Sequence, residues 1–179
     1  MVFARALGIP GEWATVTQVH GADVLEAAGP GELGPADGLF TMHAALPIAV
    51  FSADCVPVVL DGEVAVGVAH AGWRGLATGV VSTLRQAMAD AGAAAVRAAV
   101  GPAIGPCCYE VGPEVLGPLA EFTATTTWGS PSVDLRSAAA AQLEGLPISH
   151  VRHCTHHEGG FSHRRDQTAA RQAAVAWMS

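Results

Sequence analysis

Short apolar runs of strand length, separated by breaks, constrain the fold of this 179-residue chain more than any other feature. Six runs have the length and composition of strands. Helical patterns interleave with them, but without the regular alternation that a doubly wound sheet requires. The sequence therefore predicts a single-domain α/β (α+β) fold built from layers. The predicted strands are Ala14–Val19, Ile48–Phe51, Val56–Leu60, Val64–Ala69, Ala98–Val100 and Ile148–Cys154.

Four segments have the spacing or the boundary residues of helices. The first carries an apolar residue every three to four positions and stops before Gly92, a common C-terminal signal. Asp134 is a candidate N-cap for the third segment, and Gly29–Gly38 predicts a loop inside the domain. The predicted helices are Leu76–Ala91, Pro113–Phe122, Asp134–Glu144 and Arg165–Trp177.

Composition excludes several classes of protein. Half of the residues are hydrophobic and 14% are charged, which is typical of a globular domain with a sizeable core. The formal net charge of −7 argues against a nucleic-acid partner. No apolar run reaches the length of a membrane span, and no signal peptide opens the sequence. Four cysteines, two of them adjacent, do not form a secreted disulfide framework, so we expect reduced thiols and a cytoplasmic protein.

Three residues at the ends of predicted strands have the chemistry of a zinc site. His20, Cys55 and His70 offer two imidazoles and one thiolate, a ligand set that suits Zn²⁺. Three protein ligands leave a fourth position for water or substrate, which distinguishes catalytic from structural zinc. The alternative is a buried thiol with two polar loop histidines, and spacing alone does not decide between the two.

A second cluster, His153-Cys154-Thr155-His156-His157 with His163 nearby, is more conspicuous in the sequence. Neighbouring residues of a strand face opposite sides, so only alternate members could converge on one ion. We therefore expect adventitious nickel or copper binding there rather than a physiological site. Cys107 and Cys108 are interpreted as packing residues.

Arginines in this acidic chain are candidates for binding an anion. Arg74 follows His70 in a glycine-flanked turn, and Arg164 and Arg165 begin the last predicted helix. Guanidinium groups match the oxygens of phosphate bidentately. The alternative for each arginine is an ordinary surface ion pair.

Six motifs follow one another along nearly the whole chain. They are Gln18-Val19-His20-Gly21, Ala36-Asp37-Gly38, Ala53–Val58, Ala69–Gly75, Gly101–Val111, and Cys154-Thr155 with Phe161–Asp166. In this order they resemble the bacterial laccase-domain family, also called YfiH-type or polyphenol oxidase. Members of that family have been assigned purine nucleoside phosphorylase and adenosine deaminase activity.

The resemblance implies a sandwich of two mixed sheets packed between helices. It implies that His20, Cys55 and His70 are both metal ligands and catalytic residues, with Zn²⁺ as the cofactor and Cu²⁺ as the alternative. The implied substrates are phosphate and a nucleoside (adenosine, inosine or methylthioadenosine), which would yield the free base and ribose 1-phosphate. Arg74, Arg164 and Arg165 would bind phosphate or substrate.

The family also implies a segment before the first motif that this sequence does not contain. Only nineteen residues precede His20, and Val2–Gly8 resembles the end of a linking helix. We therefore expect a domain spanning residues 1–179 that lacks part of its pocket wall. Such a domain is expected to bind metal well but to turn over nucleosides poorly.

Three other functions stay open. The first is copper-dependent polyphenol oxidation, although multicopper oxidases need about ten ligating histidines in paired clusters and this chain has 8. The second is a cysteine amidase acting on a peptidoglycan precursor, with Cys55 as nucleophile. The third is a zinc-binding remnant that binds nucleosides or a partner without turnover.

Overall fold

The computed structural model describes residues 8–179, so the predicted helix end at Val2–Gly8 lies outside the described residues except for Gly8. Among the described residues, seven strands come before the first helix, and strands and helices interleave after it. The strands are β1 (Ala14–Thr17), β2 (Val24–Glu26), β3 (Gly31–Pro35), β4 (Gly38–Thr41), β5 (Ile48–Ser52), β6 (Val56–Gly62), β7 (Val66–Ala71), β8 (Ala95–Val100), β9 (Thr123–Thr125), β10 (Pro131–Val133), β11 (Ile148–His150) and β12 (Gln172–Ala176).

The helices are short, and most of them end at a glycine or a turn. A 3₁₀ turn at Ala120–Phe122 follows the third helix. No helix within residues 8–179 is both long enough and apolar enough to cross a membrane. The helices are α1 (Trp73–Thr78), α2 (Val80–Asp90), α3 (Pro113–Leu116), α4 (Leu135–Ala141) and α5 (His163–Asp166).

The strands form two mixed sheets and one small hairpin. The larger sheet has the order β11-β8-β6-β7-β4-β2, with an antiparallel centre and a parallel pair at each edge. The smaller sheet has the order β12-β5-β1-β3, in which only β12 runs antiparallel to its neighbour. Strands β9 and β10 pair with each other. The predicted layered fold with mixed sheets is confirmed.

Alternating side chains of the central strands build two cores, one on each face of the larger sheet. On β7, Val66 and Val68 point toward the smaller sheet, whereas Ala69 and Ala71 point toward the helices. Gly67 also lies on the helical side, where an added Cβ would come within 2.8 Å of the Met88 sulfur. The larger sheet is therefore buried on both faces, and its strand ends are the places where polar side chains can meet.

The predicted helix Leu76–Ala91 exists, but it is broken into α1 and α2. Gly79 has a φ of +86° and ends α1 while it precedes α2. Asp134 caps α4 as predicted, because its carboxylate accepts hydrogen bonds from the backbone N–H groups of Arg136 and Ser137. The predicted apolar stripe is buried on the sheet and consists of Leu76, Val80, Leu84 and Met88.

The prediction of a helix over Arg165–Trp177 is wrong. Helix α5 ends at Gln167, whose φ of +48° is left-handed, and β12 then pairs antiparallel with β5. Alanine-rich sequence is compatible with a helix, but pairing with β5 satisfies the backbone of residues 172–176 instead. The loop predicted at Gly29–Gly38 is also wrong, because it contains β3, an edge strand paired with β1.

Candidate metal centre and substrate pocket

The structure brings His20, Cys55 and His70 together at one rim of the sheets. His20 follows β1, Cys55 lies in the turn between β5 and β6, and His70 is near the end of β7. One ligand atom from each residue lies within 4.8 Å of the other two. The two imidazole rings meet edge to face, with centroids 4.8 Å apart and an angle of 82° between their planes.

Unusual backbone conformations at two positions make this convergence possible. His20 itself has a φ of +62°, and Asp54, which precedes Cys55, has a φ of +91°. Both lie in a region that non-glycine residues rarely adopt and that is concentrated at functional sites. Gly72 supplies the space, since a Cβ there would lie 3.1 Å from both the Cys55 sulfur and Cδ2 of His20.

Asp37 is the buried carboxylate that holds two of the three candidate ligands. Its Oδ2 accepts hydrogen bonds from the backbone N–H groups of Val19 and Gly21, which flank His20. Its Oδ1 lies 2.7 Å from Nδ1 of His70. That contact leaves Nε2 of His70 as the nitrogen available to a metal.

Asp37, rather than Asp23 or Asp54, which are nearer to His20 and Cys55 in sequence, orients the His70 ring. Asp54 instead accepts hydrogen bonds from the Thr155 hydroxyl and the Arg164 backbone N–H, both at 2.7 Å. Asp23 contributes its backbone carbonyl, which accepts from the N–H groups of Asp37 and Gly38.

The electrostatics of the metal-free trio favour a thiolate beside a protonated imidazole. Burial raises the pKa of Cys55, but hydrogen bonds and positive charge from His20 and His70 outweigh it and lower that pKa to about 7. Burial lowers the pKa of His70, but the Asp37 carboxylate and the Cys55 sulfur raise it to about 9. A divalent cation would replace the protons and neutralise the same negative charge.

A pocket of about 580 Å³ opens directly above the trio. Two guanidinium groups are stacked on aromatic rings at its wall: Arg74 lies 4.3 Å from the Trp73 ring centroid, and Arg164 lies 5.2 Å from that of Tyr109. The residues lining it include all three trio members together with Gln18, Phe51, Trp73, Arg74, Tyr109, His163, Arg164 and Arg171.

Of the three arginines expected at the site, the structure brings Arg74 and Arg164 to the pocket but not Arg165. The Arg165 guanidinium pairs with Asp166 and donates hydrogen bonds to the carbonyl oxygens of Thr155, His156 and Gly160. Its bonds hold the loop before α5 in place. Arg171 also lines the pocket.

Sequence reasoning gave no role to four other residues at this site. Gln18, Asp37 and Tyr109 lie inside the quoted motifs, so a signal was present for them. Phe51 ends a predicted strand, and its sequence context gave no signal of a role at the site. Only the structure shows that Phe51 is 38% exposed and lines the pocket.

The residues of the conspicuous cluster His153–His157 do not converge on one point in the structure. His153 Nε2 lies 2.9 Å from the Gly159 carbonyl oxygen. Cys154 and His157 turn toward Cys107 and Cys108, and these four residues form a second group of metal-type ligands. His156 is not part of that group.

Comparisons with known proteins show which family this chain resembles in sequence. The family model of multi-copper polyphenol oxidoreductase laccase matches residues 1–179. A purine nucleoside phosphorylase of Streptomyces griseus is 40% identical over 193 residues, which cover 98% of this chain and 78% of that protein. One from Streptomyces coelicolor is 39% identical and is covered to 79%.

Solved structures of similar proteins have the same fold. YlmD from Geobacillus stearothermophilus superposes with a TM-score of 0.89 at 33% identity, covering 99% of this chain and 78% of that one. The hypothetical protein YfiH of Bacillus licheniformis also gives a TM-score of 0.89, at 28% identity, covering 99% of this chain and 79% of that one.

Proposed function

Because this chain belongs to the multi-copper polyphenol oxidoreductase laccase family, we propose that it is a purine nucleoside phosphorylase with zinc held by His20, Cys55 and His70. The observation that carries the proposal is the position of this trio at the base of a pocket lined by arginines and aromatic rings. Two Streptomyces relatives that carry the name purine nucleoside phosphorylase support it.

The three residues fit a zinc ion. Two imidazoles and a thiolate are zinc ligands, and Asp37 fixes the tautomer of His70 as carboxylates do behind ligating histidines. Zinc bound there would supply a Lewis acid with one position open to the pocket. Imidazole also binds copper well, so Cu²⁺ stays the alternative.

Arg74 and Arg164 bind and orient phosphate in this proposal. In phosphorolysis a phosphate oxygen forms a bond to C1′ of the ribose while the bond from C1′ to the purine breaks, and the purine leaves with the electron pair. Guanidinium forks hold the phosphate in line for that attack. The Arg164 backbone is fixed by Asp54, and its Nη1 donates to the Glu110 carbonyl oxygen at 2.8 Å, so this guanidinium is held in place.

Replacing Arg74 with alanine is expected to raise the KM for phosphate about 10- to 150-fold, because a charge-assisted hydrogen bond is worth about 1.5–3 kcal/mol. The melting temperature should stay within about two degrees, since the Arg74 side chain is exposed. Arg97→Ala is the matched control, because Arg97 pairs with Asp61 on another surface. An unchanged phosphate KM in Arg74→Ala would remove Arg74 from the site.

Phe51 is the platform on which we place the purine ring. Stacking of a base on an aromatic side chain is worth about 1–3 kcal/mol. Phe51→Ala should therefore raise the KM for inosine about 5- to 150-fold while the KM for phosphate stays the same. Phe161→Ala, which removes another exposed ring outside the pocket lining, should change neither constant. A rise in both constants with Phe51→Ala would indicate a distorted pocket rather than lost stacking.

The function itself is tested with zinc-loaded protein, inosine and adenosine, each with and without phosphate. Phosphate-dependent release of free base and ribose 1-phosphate supports the proposal. Inosine formed from adenosine without phosphate would report adenosine deaminase activity, which we propose as a second reaction of the pocket. Oxygen consumption with phenols and no phosphorolysis would favour the copper oxidase instead.

One observation favours a second candidate, the cysteine amidase. Cys55, His70 and Asp37 have the order of a nucleophile, a base and a carboxylate that orients the base. In that function the Cys55 thiolate attacks an amide carbonyl and His70 gives its proton to the leaving amine. Zinc would bind the same atoms of Cys55 and His70 that the amidase uses. Removing zinc with a chelator should therefore increase amide cleavage if the chain is an amidase. The same treatment should abolish phosphorolysis if the chain is a zinc-dependent phosphorylase.

A further inference from the structure

Cys107, Cys108, Cys154 and His157 converge on one point outside the pocket lining. Cys107 and Cys108 lie in the loop after β8, whereas Cys154 and His157 lie in the loop after β11. All four ligand atoms lie within 4.8 Å of one another. Each cysteine is a free thiol, as is Cys55.

Four of the six separations between these ligand atoms are close to the edge lengths of a zinc tetrahedron, and the other two are within 4.8 Å. Bonds of about 2.3 Å to sulfur and about 2.0 Å to nitrogen at tetrahedral angles require S···S distances of about 3.8 Å and S···N distances of about 3.5 Å. The Cys107 sulfur lies 3.6 Å from that of Cys108 and 3.9 Å from that of Cys154. Nδ1 of His157 lies 3.3 Å from the Cys108 sulfur and 3.8 Å from the Cys107 sulfur.

The local backbone also suits a metal-bound thiolate. The Gly105 N–H donates to the Cys154 sulfur at 3.1 Å, and a thiolate accepts such a bond better than a thiol. Cys154 and His157 are separated by two residues, a spacing common among structural zinc ligands. Cys108 and Cys154 are buried, so these two thiols are shielded from water.

We propose that Cys107, Cys108, Cys154 and His157 bind a second Zn²⁺, a structural ion with four protein ligands and no open position. A ligand set of three thiolates and one imidazole is typical of such closed sites. This proposal does not depend on the activity of the trio. It replaces the interpretation of Cys107 and Cys108 as packing residues.

The second ion would join two loops that form part of the pocket wall. Tyr109 follows Cys108 directly, and the Arg164 guanidinium lies over its ring. Backbone hydrogen bonds already connect Ala103 with His153 and Thr155, and Thr155 bonds to Asp54 beside the trio. Metal at this point would therefore fix the position of Tyr109 relative to Arg164 without touching the substrate.

Zinc content and X-ray absorption at the zinc edge test the proposal. Wild-type protein purified under reducing conditions should contain about two zinc ions per chain. Cys55→Ala should retain one ion, coordinated by three sulfurs and one nitrogen. Cys108→Ser should also retain one, coordinated by one sulfur and the nitrogens of His20 and His70. Recovery of copper rather than zinc in Cys55→Ala would overturn the assignment of the ion.

His157→Ala keeps the test decisive if the cysteine variants fail to fold, because the His157 side chain is exposed. It should lower zinc affinity of one site at least tenfold, while the neighbouring His156→Ala control retains two ions. Zinc affinity equal to that of the wild type at both sites of His157→Ala, measured by competition with a chelator, would overturn the proposal. So would a disulfide among Cys107, Cys108 and Cys154, detected by mass in the freshly purified wild-type protein.

Discussion

Cys55→Ala is expected to lower zinc content by one ion per chain and to lower kcat/KM for inosine phosphorolysis about 1,000-fold or more. Cys55 supplies the single negative ligand of the trio, and its thiolate lies between His20 and His70. Loss of Lewis-acid stabilisation worth about 4 kcal/mol corresponds to a factor of about 1,000 in rate. Metal analysis and steady-state kinetics on the same preparation measure both effects.

The control for Cys55→Ala is His43→Ala, which removes an exposed imidazole that does not line this pocket. It should retain the zinc content and the rate of the wild type. Because the readout is a difference of one ion, it holds whether the wild type contains one zinc or two. Unchanged zinc content in Cys55→Ala would show that the trio is not the zinc site. Loss of zinc with a normal rate would show that the metal is not required for phosphorolysis.

The fold was predictable where apolar periodicity is strong. The buried stripe of α2 is visible in the sequence because it repeats with the helical period. The central strands β6 and β7 are visible as continuous apolar runs, because the larger sheet is buried on both faces. Residues 172–176 were not predictable, because their alanines favour a helix over a strand. Pairing with β5, more than 110 residues earlier in the chain, decides their structure.

The candidate site was predictable where its residues sit in local motifs. His20, Cys55 and His70 each stand at a strand end inside a distinctive run, and the structure brings them together. The role of Asp37 depends on a contact across 33 residues and on its burial, neither of which a local pattern contains. The meeting of Cys107 and Cys108 with Cys154 likewise depends on two loops whose paths the sequence does not specify.

Asp37→Asn is expected to weaken zinc binding at the trio about 10- to 100-fold, the usual effect of losing a carboxylate behind a ligating histidine. The amide oxygen of asparagine can still accept from Val19 and Gly21, so the fold should persist. Its NH₂ group then faces Nδ1 of His70, which must become an acceptor and carry its proton on Nε2. The nitrogen needed for the metal is thus blocked.

Two measurements separate this tautomer effect from general destabilisation. Nitrogen-15 NMR of the metal-free protein, recorded at a pH above the His70 pKa of about 9 so that the ring is neutral, should show His70 protonated on Nδ1 in the wild type and on Nε2 in Asp37→Asn. The pKa of His70, about 9 in the wild type because the carboxylate outweighs burial, should fall in the variant. Asp23→Asn is the matched control, since the Asp23 carboxylate is exposed and only its backbone carbonyl contacts Asp37. Wild-type zinc affinity in Asp37→Asn, or an equal loss in Asp23→Asn, would remove Asp37 from the role of positioning His70.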